Sequence, residues 1–332
     1  MPSASSSSDP TSSTDWPRSV TWRHAMTDRS LGSCQPGAVK DEALRQRGVT
    51  EVLAEVGADA DGFLGFGGEA WVWAIDADRV VRVVRSLEPD AGRTVLRRYD
   101  LVAELARDGW RFPLPEAIES GEVAGRPFVI ERRLPGRPMR EVLGTLGRRD
   151  RDRLIADHLD ATEIIGDLHL EARGYWGDLI ADHPLRTDTW SEYLVGVAIR
   201  NLSVAPPEFA DVDGTAIAEE LPSCAMPSYV HLDAFAGNML AEGPSISAVI
   251  DFGPMSIVGD RRLDVLAAAA YLRSDQITPE ADEGDGLVAM AWLGDRDLVD
   301  FYEPARRWLA AYWSWASDDT KLNAWCREVL LG

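Results

Sequence analysis

Five residues, Leu134-Pro135-Gly136-Arg137-Pro138, divide this sequence into two halves with different hydrophobic periods. Two prolines and a glycine in so short a stretch oppose both a helix and a central strand, so regular structure is expected to stop there. Before them the chain favours strands. Gly62-Phe63-Leu64-Gly65-Phe66-Gly67-Gly68 leads into Ala70-Trp71-Val72-Trp73-Ala74-Ile75, and a turn at Asp76-Ala77-Asp78 leads into Val80-Val81-Arg82-Val83-Val84. Two β-branched and aromatic runs joined by a short acidic turn predict a hairpin. Further extended segments are predicted at residues 116–121 and 127–132 around the turn Ala124-Gly125, with helices over 40–57 and 94–107. Beyond the break the period becomes helical, over 151–171, 189–201, 264–272 and 297–315, and Pro304 is expected to break or restart the last of these. Tyr229-Val230 and Ser247-Ala248-Val249-Ile250 are the clear short strands of this half. The pattern predicts an α+β, two-lobed fold. Residues 1–35, rich in Ser, Thr, Asp and Pro, read as a disordered tail. Residues 36–133 form the β-rich lobe, and 134–332 the helical one.

Charge narrows the partners. Asp and Glu number 55 against 34 Lys and Arg, a formal net charge of −21. Nucleic acid is repelled by such a surface unless a basic patch interrupts it, and the sequence shows none. Cationic small molecules are attracted, although the same acidity also serves plain solubility. Cys34, Cys224 and Cys326 make neither a disulfide framework nor a zinc pattern, so a reducing cytoplasm is the expected home. No continuous apolar run in 1–35 suggests a signal peptide or membrane span.

The chemistry concentrates after the two short strands, in His231-Leu232-Asp233-Ala234-Phe235-Ala236-Gly237-Asn238 and Asp251-Phe252-Gly253. A carboxylate can orient a hydroxyl and accept its proton. An amide oxygen five residues on, with a second carboxylate at a neighbouring strand end, supplies hard oxygen ligands for Mg²⁺. The connection Ala241-Glu242-Gly243-Pro244 is short enough for a hairpin presenting both sets to one cleft. Alone, Asp233 reads as a turn residue and Asp251 as a strand-end cap. Their neighbours His231, Asn238, Phe252 and Gly253 turn the balance towards function.

H-x-D-x-x-x-x-N followed by Ile250-Asp251-Phe252-Gly253 resembles the catalytic and metal loops of the aminoglycoside phosphotransferase superfamily, which is related to protein kinases. Gly259-Asp260-Arg261-Arg262-Leu263-Asp264 is similar to that family's G-D-x-x-x-D segment, and Pro113-Leu114-Pro115 to its small-lobe P-x-P. Glu131-Arg132-Arg133-Leu134-Pro135-Gly136 resembles its hinge, and Leu168-His169 the end of its first large-lobe helix. The hygromycin phosphotransferases are the branch that the loop wording suggests. The resemblance implies a protein-kinase-like fold and transfer of a phosphoryl group from ATP, with Mg²⁺, to a hydroxyl of a cationic small molecule such as an antibiotic. It makes Asp233 the catalytic base, Asn238 and Asp251 the magnesium ligands, and His231 a brace. Gly65, Gly67 and Gly68 would lie over the nucleotide phosphates, where a missing Cβ lets backbone N–H groups approach. Arg82 would take the strand position where protein kinases carry lysine; many small-molecule members read V-L-R-V there. Glu131 would lie at the hinge that reads adenine through backbone groups.

Two positions depart from the pattern. Leu232 stands where the family often has Gly or Ala. The helix expected to offer Arg82 an acid has Arg98 at the matching position, with Asp100 or Glu104 as substitutes in another register. That departure motivates an alternative, a nucleotide- or drug-binding pseudoenzyme. A protein kinase is disfavoured because no A-P-E segment follows Asp251, and a P-loop enzyme because no G-x-x-x-x-G-K-[ST] exists. The remaining features have structural readings. Asp260 and Asp264 would brace the catalytic loop and cap the next helix, His169 would pack on its helix, and the late tryptophans would form core. Glu280-Ala281-Asp282-Glu283-Gly284-Asp285 would be a solvated loop or, less simply, a cation-recruiting rim.

Overall fold

The computed structural model describes residues 36–88, 90–107, 110–168, 170–181 and 183–332. The expected tail and His169 therefore lie outside the described residues. Helices α1 (Pro36–Arg45) and α2 (Val49–Val56) precede strands β1 (Phe63–Phe66), β2 (Ala70–Ala74) and β3 (Arg79–Val84). Helix α3 (Ala91–Arg107) then leads to β4 (Ala117–Val123) and β5 (Arg126–Arg132). The five strands form one antiparallel sheet in the order β1-β2-β3-β5-β4. Alternation along β3 sends Val81 and Val83 to a core shared with Val39, Ala43, Val52 and Leu53 of α1 and α2. Val84 packs on the opposite face with Val95 of α3 and Val129. Arg82, two residues from Val84, therefore belongs to the face that α3 covers.

The second lobe is helical around a buried centre. It contains α4 (Met139–Leu143), α5 (Arg148–Ile165), α6 (Trp190–Ser203), α7 (Gly214–Glu219), α8 (Arg262–Leu272), α9 (Glu283–Gly294), α10 (Val299–Trp313) and α11 (Thr320–Leu331). Every residue of α8 from 263 to 272 is buried, which makes it the lobe's central helix. Trp308, Trp313 and Trp325 are core, as the aromatic stripe predicts. Among the described residues no helix is long and apolar enough to cross a membrane.

Short strands are more numerous here than the sequence suggests. β6 (Arg137–Pro138), β10 (Met239–Glu242) and β11 (Ser245–Val249) form one small sheet, and β7 (Trp176–Asp178), β8 (Arg186–Thr187), β9 (Ser228–Val230) and β12 (Ile257–Gly259) another. The Pro/Gly break is thus not wholly irregular. Pro138 is tolerated because β6 lies at the sheet edge. Gly136 is required: its φ is 93°, and a Cβ would sit 2.3 Å from Ser247 Oγ and 2.8 Å from the Ala241 carbonyl.

Three further expectations are corrected. Helix α5 stops at Ile165 rather than near 171, with Gly166 so close to Arg261 that a Cβ would meet the Arg261 Cβ at 2.5 Å. Pro304 does not break α10, which runs continuously through it. The lost N–H bond is outweighed by burial of Ala305, Trp308, Leu309 and Tyr312 on the following turns. The acidic run is solvated at Glu280, Asp282 and Glu283, as a surface loop would be, but not at its end. Asp282 caps α9 in a reciprocal capping box with Asp285, and Asp285 is fully buried against Arg148 and Arg151.

Candidate active site

The two polar sets meet because a hairpin brings them together. β10 and β11 pair with Met239 opposite Val249, around a two-residue turn at Gly243-Pro244 whose Gly243 has φ 58°. Asn238 and Asp251 therefore flank the open end of one hairpin. The Ile250 N–H donates to the Asn238 carbonyl at 2.9 Å. The Asn238 side-chain amide donates to Asp233 Oδ2 at 3.0 Å and to the Asp233 carbonyl at 2.9 Å. With both its N–H donations directed at Asp233, the Asn238 side chain has its carbonyl oxygen left for another partner.

The loop carrying Asp233 is held in a costly shape. Leu232 has φ 59°, a left-handed value that is unfavourable for leucine; Asp251 on the neighbouring loop has φ 63°, which aspartate adopts more readily. The compensation is a set of braces. The Asp264 carboxylate of α8 accepts from the His231 N–H at 2.8 Å and the Leu232 N–H at 2.7 Å. Burial raises the Asp264 carboxyl to about 6, against the lowering pull of His231 and these two backbone donors. The Asp233 N–H donates to His231 Nδ1 at 3.3 Å, which leaves the proton on Nε2 to be donated to the Ile250 carbonyl at 3.2 Å. His231 thus ties the Asp233 loop to the strand end that leads into Asp251. Tyr271 O–H donates to the Leu232 carbonyl, and buried His158 of α5 donates from Nε2 to the Ala234 carbonyl at 2.8 Å. Burial lowers His158 to about 4, so it is neutral near pH 7. Phe252 is buried and packs on Trp110, Tyr229 and His231. Asp260 accepts from the Arg262 N–H at the start of α8.

The small lobe contributes cations. Arg82 Nη2 lies 3.5 Å from Asp251 Oδ1, and Arg98 Nη1 of α3 lies 3.4 Å from the same oxygen. Each arginine has a further acid. Arg82 Nε is 3.3 Å from Glu131 Oε1 on β5, and Arg98 pairs with Glu69, just before β2. Tyr99 O–H also donates to Glu131. Burial pushes the Glu131 carboxyl up, with Arg82 and the Tyr99 bond opposing it. Burial works to lower Arg82, but Glu131, Tyr99 and Asp251 outweigh it and hold the guanidinium charged. The Glu131 side chain therefore engages Arg82 at the cleft. Neither Asp100 nor Glu104 supplies its acid in the geometry seen, where Glu104 pairs with Arg173.

Gly65 lies within β1, opposite Val72, and the Gly67 N–H closes the β1–β2 turn on the Ala70 carbonyl at 2.9 Å. No atom lies within 4 Å of a Cβ built on Gly65 or Gly67, so the space beside this turn is open. Glu69 links the turn through Arg98 to Asp251. Among the described residues no group of three or more His, Cys, Asp or Glu side chains is arranged to hold a metal. Mg²⁺ shared with phosphates needs no such cage, since one or two protein oxygens suffice. The donor set here, one amide oxygen and one carboxylate ringed by phosphate-compatible arginines, suits a magnesium–nucleotide complex.

The model of the APH family, described as the phosphotransferase enzyme family, matches residues 67–302. The chain belongs to this family. The matched stretch of this phosphotransferase takes in the β2–β3 hairpin, both polar loops and α8. No curated protein matches it in sequence. Solved structures share its protein-kinase-like fold. A streptomycin–ATP–APH(2")-IIa ternary complex is similar with a TM-score of 0.57 at 16% identity, over 85% of this chain and 95% of that one. A gentamicin–APH(2")-IIa complex gives 0.55 at 17%, over 81% and 90%. An aminoglycoside-3'-phosphotransferase of type VIII gives 0.51 at 17%, over 82% and 98%.

Sequence reasoning missed two residues of this phosphotransferase's site and one pairing. His158 carries no local signal, because a lone histidine in a helix reads as core. Glu69 stands directly after the glycine turn, but its target is on α3. The link between Glu131 and Arg82 was legible only with the β3–β5 register in hand, where Val80 faces Glu131 and Arg82 faces Val129.

Proposed function

We propose that this phosphotransferase moves the γ-phosphoryl group of ATP, in a magnesium-dependent reaction, to a hydroxyl of a cationic small molecule of the aminoglycoside type. The observation that carries the reading is the Asp233–Asn238 contact of 3.0 Å at the open end of the β10–β11 hairpin, the same end from which Asp251 emerges. Asn238 Oδ1 and Asp251 would hold Mg²⁺, which when bound neutralises developing charge on the phosphate oxygens. Asp233 orients the acceptor hydroxyl and takes its proton at the carboxylate. Arg82, anchored by Glu131, neutralises phosphate charge where protein kinases use lysine. The turn at Gly65, Gly67 and Gly68, with no Cβ in the way, lets phosphates come close to its backbone, although the Gly67 N–H itself is donated to Ala70. The nucleotide lies between a small lobe of residues 36–133 and a large lobe of 134–332.

The acceptor class rests on two supports. Related structures are named as complexes with gentamicin and streptomycin, and the chain's net charge of −21 draws cations. The absence of an acid at position 98, which favours a pseudoenzyme, loses its force because Glu131 pairs with Arg82 from β5. The test is a coupled ADP-release assay on purified protein against a panel of hydroxylated cationic antibiotics and metabolites. Magnesium-dependent turnover that Asp233→Asn lowers by about 10²–10⁴-fold supports the reading. Turnover that survives the substitution, or none with any acceptor, ends it.

A further inference from the structure

Arg98 stands where the resemblance expects an acid, and its guanidinium is held at the metal loop. One nitrogen lies 3.4 Å from Asp251 Oδ1 and another pairs with Glu69. Its Nε has no hydrogen-bond partner among the described residues, although the side chain is only 7% exposed. A helix charge held only by solvent would show none of these features.

The charges around it form an ordered set. Arg82 is anchored by Glu131, Arg98 is anchored by Glu69, and the two arginines share Asp251. If Asp251 turns its charge to a magnesium ion, each guanidinium keeps its own anchor but loses its shared acceptor. A phosphate that came to lie beside Asp251 would meet these two sets of donors, which already approach Asp251 Oδ1 at 3.4 and 3.5 Å. Arginine's several fixed donors suit a phosphate better than a single-point cation does.

We propose that Arg98 is a second phosphate-binding arginine, preset by Glu69 and reaching from α3 to the nucleotide beside Arg82. The inference rests on the nucleotide reading above and adds to it a cation from a helix expected to supply an acid.

Titration calorimetry tests it, with MgATP, MgADP and adenosine as probes of the wild type, Arg98→Gln and Arg98→Lys. Loss of a charged hydrogen bond to phosphate weakens MgATP and MgADP by about ten- to a hundredfold in Arg98→Gln. Adenosine, which has no phosphate, binds as in the wild type, and Arg98→Lys recovers part of the loss. Thermal melting of each variant checks folding, and Arg98→Lys keeps the charge if Arg98→Gln does not fold. Equal binding of MgATP by wild type and Arg98→Gln overturns the proposal, as does an equal loss for adenosine, which marks a purely structural role. Arg98-dependent MgATP binding without turnover of any acceptor supports the proposal while sinking the transferase reading. A wild type that binds no nucleotide sinks both.

Discussion

Glu131 lies 3.3 Å from Arg82 across adjacent strands, as a diagonal pair on one face of the β3–β5 ladder. The acid that orients this cation thus comes from the sheet rather than from α3. A strand partner is set by register and cannot swing out with a helix, so Arg82 is held whatever α3 does. Glu131→Gln leaves the partly buried Arg82 with Asp251 as its remaining acid and is expected to cost about 2–3 kcal/mol. Urea unfolding measures the loss, and the KM for nucleotide is expected to rise in the same variant. An unchanged midpoint and KM would show that the pair has no role.

Leu232 sets two effects against each other. Its φ of 59° costs about 1–2 kcal/mol for a residue with a Cβ, while its buried side chain contributes about 2–5 kcal/mol. Burial wins, which explains why leucine is tolerated where Gly or Ala is expected. Leu232→Gly is therefore destabilising despite relieving the backbone. Leu232→Ala keeps the strain and also loses the packing, so its melting temperature falls at least as far as that of the glycine variant. Alanine melting clearly above glycine would refute this account.

The Asp264 brace has a pH signature. Its folded-state value of about 6 lies above the ordinary carboxyl value of 3.8. The folded protein therefore holds this proton more tightly than the unfolded chain does. The resulting stability is fully present below about 4 and is lost as pH rises through about 6. Asp264→Asn lacks this dependence. The wild-type melting temperature minus that of the variant should fall between pH 4 and 6 and level off above. A difference that rises over that window would reverse the sign and refute the assignment.

Much of the site was written in sequence order, because its residues sit at the ends of one hairpin. His231, Asp233, Asn238 and Asp251 lie within 21 positions of each other, and a short turn brings them together. The braces were less legible. His158 reaches the loop at Ala234 from 76 positions away, and Glu69 reaches Arg98 from a different element. Such contacts depend on how helices pack, which local patterns do not encode. Pro304 and the short strands β7 and β12 fail for a related reason: tertiary burial overrides a proline penalty and creates pairing in segments too short to show alternation.

Asp285 shows how one member of a charged run can belong to the interior. Arg151 Nε donates to both its oxygens at 2.8 and 2.9 Å, and Arg148 adds a bond of 2.6 Å. Burial pushes this carboxyl up, but Arg151, the Asp282 backbone bond and Arg148 prevail and hold it below the usual carboxylate range. The stability it contributes is therefore present above the ordinary carboxyl value and lost as pH falls through its depressed one. Arg151 also donates to the Leu143 and Glu280 carbonyls, so it stays in place when Asp285 is removed. Asp285→Ala leaves this nearly buried cation without its carboxylate and opens the capping box of α9. The expected cost is about 3–5 kcal/mol, read as a fall in the urea midpoint at pH 7 that shrinks as the pH is lowered. The KM for nucleotide of the molecules that remain folded should not change. A variant as stable as the wild type would mean that the α5–α9 contact is held by apolar packing alone.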